Sequence, residues 1–335
     1  MTEIGLPTLD LSIVIPCFNE VENLRPLTAE ITTALADQDL DYEVIFVDDG
    51  SRDGSFACMQ ELHEADERIT AVRFRRNHGQ TAAFAAGFSH AHGAVIVTLD
   101  ADRQNDPADI PRLLTKLNEG YDVVNGWREN RQDAFVSRKL PSKIANRLIA
   151  RSTGVRLRDR GCSIRAFRHY VVKDLHLYGE MHRFIPEMVN FAGFSMAEVP
   201  VNHRARVAGT SKYGISRTFR VILDLMTILF LRRYSDRPMH LFGSLGLMSG
   251  GIGGFIGLYL VAMKIWAGLV DGMNGFREMR IGERPLLLIA ILLIILGVQF
   301  LVMGLVAELL IRTYYETQNK SVYFIKEILL GKGKM

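Results

Sequence analysis

Cysteine is scarce in this chain of 335 residues, and the three present, Cys17, Cys58 and Cys162, are widely spaced with no CxxC pair. This argues against a disulfide framework and a thiolate zinc site, and it fits a reducing compartment. Net charge is nearly absent too: 40 Lys and Arg against 37 Asp and Glu leave +3, so bulk charge assigns no partner. The amino terminus, MTEIGLPTLD, lacks the basic start and apolar core of a signal peptide. No GxGxxG or P-loop glycine pattern follows the first predicted strand, and the nine histidines show no HExxH spacing. Internal repeats and low-complexity tracts are also missing.

What the chain does have is two long runs without charge, Leu241–Met263 and Pro285–Ala307. Each is about 23 residues long, where a hydrocarbon core needs roughly 20. Buried helices of a soluble protein are the competing reading. Arg232, Arg233 and Arg237 precede the first run, and Arg312 and Lys320 follow the second. The connecting loop mixes Arg277, Arg280 and Arg284 with Asp271, Glu278 and Glu283. This bias predicts both termini in the cytoplasm. The expected organisation is a cytoplasmic domain over 1–212, amphipathic juxtamembrane helices over 213–237, two transmembrane helices over 238–311, and a cytoplasmic tail over 312–335.

The first hundred residues alternate in character. Apolar, β-branched runs occur in LSIVIPC, at Tyr42–Val47, at Thr70–Phe74 and at Ala94–Asp100. Between them, Glu22–Leu35, Ser55–Ala65 and Thr81–His90 have helical periodicity. Strands alternating with helices predict βαβ units and a mainly parallel sheet covered on both faces. Ligands of such sheets bind at the carboxyl ends of the strands. Pro16–Glu20, Asp48–Ser51 and Asp100–Gln104 should therefore share one rim.

In VTLDADRQNDP, a predicted strand ends in Asp100, Asp102 and Asp106. Hard cations such as Mg²⁺ and Mn²⁺ take oxygen ligands, often one or two carboxylates plus substrate phosphates. Asp100, Asp102 and Gln104 are the metal candidates. A solvated turn is one alternative. Another is a phosphatase with a nucleophilic first Asp, but that class carries its DxD early, with Thr or Val where Gln104 stands.

VIPCFNE, FVDDGSRDGS, RNHGQTAAFAAGF, LDADRQNDPADIP, GWRENRQD, TGVRLRDRGCSIRAFR and RARVAGTSKYG occur in this order. In that respect the chain resembles the polyprenyl-phosphate glycosyltransferases of glycosyltransferase family 2, over nearly its whole length. That group includes bactoprenol glucosyltransferases, the undecaprenyl-phosphate formamido-arabinose transferase and dolichyl-phosphate mannose synthases. The resemblance implies an α/β GT-A catalytic domain, Rossmann-like with a mainly parallel sheet, followed by interfacial helices and two C-terminal transmembrane helices. It implies transfer of one sugar, with inversion, from a nucleotide sugar (a UDP-sugar in the first instance) to undecaprenyl phosphate at the bacterial inner membrane. The cofactor it implies is Mg²⁺ or Mn²⁺. Pro16, Asn19, Glu20, Asp48, Asp49, Ser51, Asp100, Ala101 and Lys212 would bind the nucleotide sugar, and Asp102 and Gln104 match the metal-binding part of the motif. Arg103 stands where Leu is usual, and a cation there weakens metal binding unless it faces away or is paired.

From Arg128 to Arg168 there are twelve Lys or Arg against three Asp or Glu. SRKLPSKIANRLIARSTG interleaves these charges with apolar residues at helical spacing, which suits an anionic membrane surface better than nucleic acid. Guanidinium forks suit an acceptor phosphate. Arg128 is the first candidate, followed by Arg138 and Arg206, with Ser211 and Lys212 in a segment that closes over the site in the family. Asp159, between Arg158 and Arg160, should be held in its charged form by them. By resemblance it is the candidate base or acceptor organiser. His78-Gly79-Gln80 reads as a turn into a small-residue helix. A processive polysaccharide synthase would carry QxxRW and more spans. A silent accessory subunit of a lipid-sugar flippase would not need an intact DxD, Gln104 and Asp159. Association into a homo-oligomer is expected of a loosely packed two-helix anchor.

Overall fold

The computed structural model describes residues 7–129, 154–155, 157–175, 177, 181–204 and 238–318. They fall into two compact units, one holding the described residues through Arg204 and the other those from Pro238. The predicted basic helix before Gly154, the juxtamembrane helices of 213–237 and the tail beyond Gln318 lie outside the described residues.

The first unit is built on seven strands: β1 (Leu9–Cys17), β2 (Tyr42–Asp48), β3 (Ile69–Arg73), β4 (Gly93–Thr98), β5 (Val123–Arg128), β6 (Arg165–Arg168) and β7 (Met196–Val201). Their order is β3-β2-β1-β4-β6-β5-β7. All pairings are parallel except those of β6, which runs antiparallel to β4 and β5. β4 ends at Thr98, so Asp100 lies in the loop rather than at the strand terminus expected from sequence. The four residues of β6 contain two arginines and no apolar run, so nothing in their pattern announces a strand.

Helices α1 (Val21–Leu35), α2 (Ser55–Ala65), α3 (Gln80–His90), α4 (Ile110–Leu117), α5 (His169–Asp174) and α6 (Ile185–Phe191) cover the sheet. Period-two alternation divides the strands between two cores. Leu11, Ile13 and Ile15 of β1 join α1, α2 and α4, whereas Val14 joins α3, α5 and α6. On α1, Leu24, Leu27, Ile31 and Leu35 form one buried face. Each such side chain contributes about 1.5–3 kcal/mol through burial. α3 lies so close to β1 that a Cβ at Gly87 would fall 2.2 Å from Val14 Cγ1. The small residues of this helix are what permit the approach.

The second unit is a pair of helices, α7 (Pro238–Glu278) and α8 (Pro285–Gln318), each long and apolar enough to cross a membrane. Leu247, Phe255, Leu258, Leu292 and Val298 all point outward, an apolar surface that suits hydrocarbon. The two backbones meet closely: a Cβ at Gly253 would lie 2.7 Å from the Ala290 carbonyl oxygen. α7 runs past the uncharged stretch and is broken at Gly272, where φ is +64°.

Candidate active site

The loops after β1 and β2 are stitched together. The Asn19 N–H donates to Ser51 Oγ at 2.9 Å, and the Arg52 N–H donates to Asn19 Oδ1 at 2.9 Å. Asn19 adopts a left-handed conformation, φ 58°, that lets both bonds form. The Glu20 N–H donates to Ser55 Oγ at 3.0 Å, and its carboxylate accepts from Asn23 Nδ2 at 2.6 Å. Pro16 is half-buried on β1, opposite Val47.

Asp48 and Asp49 are neighbours with different occupations. Asp49 accepts the backbone N–H groups of His78 at 2.6 Å and Gly79 at 2.9 Å, one on each oxygen, and so shapes the turn into α3. Asp48 is fully buried; its Oδ1 accepts from the Ser51 N–H at 2.9 Å, while Oδ2 has no hydrogen bond. Arg73 Nε is 3.5 Å from that oxygen but out of hydrogen-bonding alignment. A buried acceptor in this state has hydrogen-bonding capacity that the described residues leave unmet. Gly50, Ser51, Arg52, Arg73, Phe74 and Arg75 line a groove of about 510 Å³ past the ends of β2 and β3.

Beyond β4, Asp100 Oδ1 accepts from Gln80 Nε2 at 2.8 Å, and Asp102 Oδ1 accepts from the Gln104 N–H at 3.1 Å. Burial, then the charge of Asp102, pushes the Asp100 carboxyl up to about 6, against the opposing pull of Ser163, Arg165 and Arg128. Two carboxylates that repel one another, with a side-chain amide two residues on at Gln104, supply the hard oxygen donors that Mg²⁺ or Mn²⁺ takes. Among the described residues no cluster of three or more His, Cys, Asp or Glu could hold a metal alone. A cation here would take its other ligands from phosphate or water. Arg103, left-handed at φ 59°, faces α1 and pairs with Glu30, so the cation in this motif is matched elsewhere. Ala101 is buried between the two aspartates.

Arg128, at the end of β5, grips Asp159 with a two-pronged fork, Nε to Oδ2 at 2.5 Å and Nη2 to Oδ1 at 2.9 Å. Burial alone would raise the Asp159 carboxyl, but the hydrogen bonds and charge of Arg128 outweigh it and leave the group below its ordinary value. The sequence expectation named the wrong partners. Arg158 stacks over Trp127 with 4.9 Å to the ring centre, and Arg160 is buried against Glu187 at 2.8 Å. Asp159 lies in the segment before β6, and its partner Arg128 comes from the end of β5, 31 residues earlier in the chain.

Ser163 and Arg165 are not singled out by the sequence reading, and Gln80 enters it only as part of the turn into α3. Gln80 lies inside the quoted RNHGQ stretch. Arg165 is buried on β6, opposite Thr98, and donates to the Arg160 carbonyl at 3.1 Å. Only non-local strand pairing brings it beside Asp100. Arg138, Arg206 and Lys212 lie outside the described residues.

The model of glycosyl transferase family 2 matches residues 12–176. A dodecaprenyl-phosphate galacturonate synthase from Rhizobium johnstonii is 42% identical over 327 residues, covering 96% of this chain and 93% of that protein. Among solved structures, glucosyl-3-phosphoglycerate synthase from Mycobacterium tuberculosis with Mn²⁺ and UDP-glucose shares the fold. It has a TM-score of 0.52 and 18% identity, over 67% of this chain and 79% of that one. The same enzyme with Mn²⁺, UDP and glucosyl-3-phosphoglycerate gives a TM-score of 0.51 at 18% identity, over 67% and 80%.

Proposed function

The chain belongs to glycosyltransferase family 2, as a polyprenyl-phosphate sugar transferase, and from that premise we propose that it moves one sugar from a UDP-sugar onto undecaprenyl phosphate or a similar lipid, with a divalent cation and with inversion. The observation that carries this reading is a convergence on one sheet edge. There, Asp48 presents a buried oxygen without a donor, and Asp100 and Asp102 are held in mutual repulsion. The relative from Rhizobium johnstonii makes UDP-galacturonate the first donor to test.

A phosphate oxygen of the acceptor forms the bond to the anomeric carbon while the bond from that carbon to the diphosphate breaks, releasing UDP. With a second pKa near 6, that oxygen is largely deprotonated at neutral pH and needs no strong base. Asp159, kept charged by Arg128, is a poor proton acceptor and serves to orient the guanidinium toward anionic substrate. Asp48 Oδ2 accepts an N–H of the base. Gln80 fixes the rotamer of Asp100. A cation held by Asp100, Asp102 and Gln104 would neutralise the departing diphosphate. The Lys/Arg pattern supports a catalytic unit on the cytoplasmic side, and the length and apolarity of α7 and α8 support a two-pass anchor.

The test incubates purified protein with undecaprenyl phosphate, Mn²⁺ or Mg²⁺ and a panel of nucleotide sugars, following the lipid product by mass. Product from one donor, lost with chelator and in Asp102→Asn, is the expected result. Folded protein that binds donor but gives no product from any of them would favour the accessory-subunit reading.

A further inference from the structure

Glu30 lies on α1, far in sequence from the acidic loop, yet its carboxylate is where two arginines meet. One oxygen accepts from Arg103 Nε at 3.2 Å and, more closely, from Arg103 Nη2. The other accepts from Arg204 Nη1 at 2.8 Å. Arg204 then reaches Asp106 with Nη2 at 2.7 Å, and its backbone N–H donates to the Gln104 carbonyl at 2.9 Å. Asn105 forms a β-bridge with His203. The loop carrying Asp102 is thereby held between α1 and the segment after β7.

Electrostatics gives this arrangement a purpose beyond holding the loop. Arg103 sits between Asp102 and Gln104, where an unmatched guanidinium would compete with any cation for the carboxylates. The side chains of Glu30 and Arg103 are only 24% and 23% exposed, so their attraction is less screened than at a surface pair. We propose that Glu30 is a positioning residue of the active site. It draws Arg103 away from Asp100 and Asp102, leaving that pair to a divalent cation, and it ties their loop to Arg204. This rests on the metal-dependent reading of the two carboxylates given above.

The experiment uses full-length protein in detergent: wild type, Glu30→Gln, Arg103→Leu and the double variant. Mn²⁺ binding in the presence of UDP is followed by electron paramagnetic resonance, and backbone amide exchange is followed without metal. Glu30→Gln should weaken Mn²⁺ binding about five- to tenfold. Arg103→Leu should stay within about twofold of wild type, and the double variant should recover to within about threefold, because the stranded cation is gone. In Glu30→Gln, exchange should quicken together at residues 102–106 and 203–204. Wild-type Mn²⁺ affinity in Glu30→Gln, or a double variant as weak as Glu30→Gln, would overturn the proposal. Wild type that binds no Mn²⁺ would sink the metal reading itself. In that case, unchanged exchange in Glu30→Gln would remove the loop tie as well.

Discussion

Asp100, after β4, and Asp159, before β6, are both sheltered aspartates, yet their charges are handled in opposite ways. Asp100 is pushed up to about 6 by burial and by Asp102, although it accepts hydrogen bonds from Gln80 and Ser163. Asp159 is pulled below the ordinary range by a guanidinium fork. The positive charge near Asp100, from Arg165 and Arg128, does not offset burial and the charge of Asp102, whereas at Asp159 the Arg128 fork does. In the proposed reaction, which gathers a cation and a diphosphate at one place, that deficit would favour the cation, and the prepaired Arg128 would be set to meet the acceptor phosphate.

The sharpest way to break this contrast is Asp102→Asn, which keeps the shape and removes half of the deficit. Turnover should fall roughly a thousandfold with the fold intact by circular dichroism. Next, Asp159→Asn should lower kcat about a hundredfold and destabilise the protein by about 3–5 kcal/mol, because Arg128 is left unmatched. Arg128→Met combined with Asp159→Asn should recover much of that stability in urea unfolding but none of the activity. Asp48→Asn should weaken UDP binding by about tenfold, or about 1.4 kcal/mol, and leave Mn²⁺ affinity unchanged by titration calorimetry.

The smallest effect is on stability in chelator. The Asp100 carboxyl ionises near 6 when folded, against an ordinary value of 3.8. Between about pH 4 and 6 the folded protein therefore keeps a proton that the unfolded chain has lost, and stability falls as pH rises through that window. Asp100→Asn should abolish this slope and, at neutral pH without metal, raise stability by about 1–2 kcal/mol, read as a higher Tm.

Much of the architecture was legible because it is written in local patterns. The first four strands follow β-branched runs, and the two apolar stretches needed only length and charge to be recognised. Asp48, Asp100 and Asp102 could be singled out because strand ends in a parallel sheet share an edge. What escaped depends on contacts remote in the chain. Asp48 and Asp49 look alike in DDGS, and only the position of the His78 and Gly79 amides separates a buried free oxygen from a loop clamp. The partner of Arg103 is 73 residues away, on a helix whose periodicity concerns its buried face alone. Arg165 becomes a neighbour of Asp100 only because a short antiparallel strand inserts beside β4.

The burial of the three cysteines has a practical consequence. All three are buried, and burial pushes the thiols of Cys17 and Cys162 up to about 12 and that of Cys58 upward as well. Thiols that resist ionisation and are shielded from reagent are chemically silent. The natural protein is thus its own blank for site-directed labelling. A cysteine introduced at exposed Gly282, in the short connection between α7 and α8, would be the reactive one, and a membrane-impermeant maleimide would read directly from which side of the bilayer that connection can be reached.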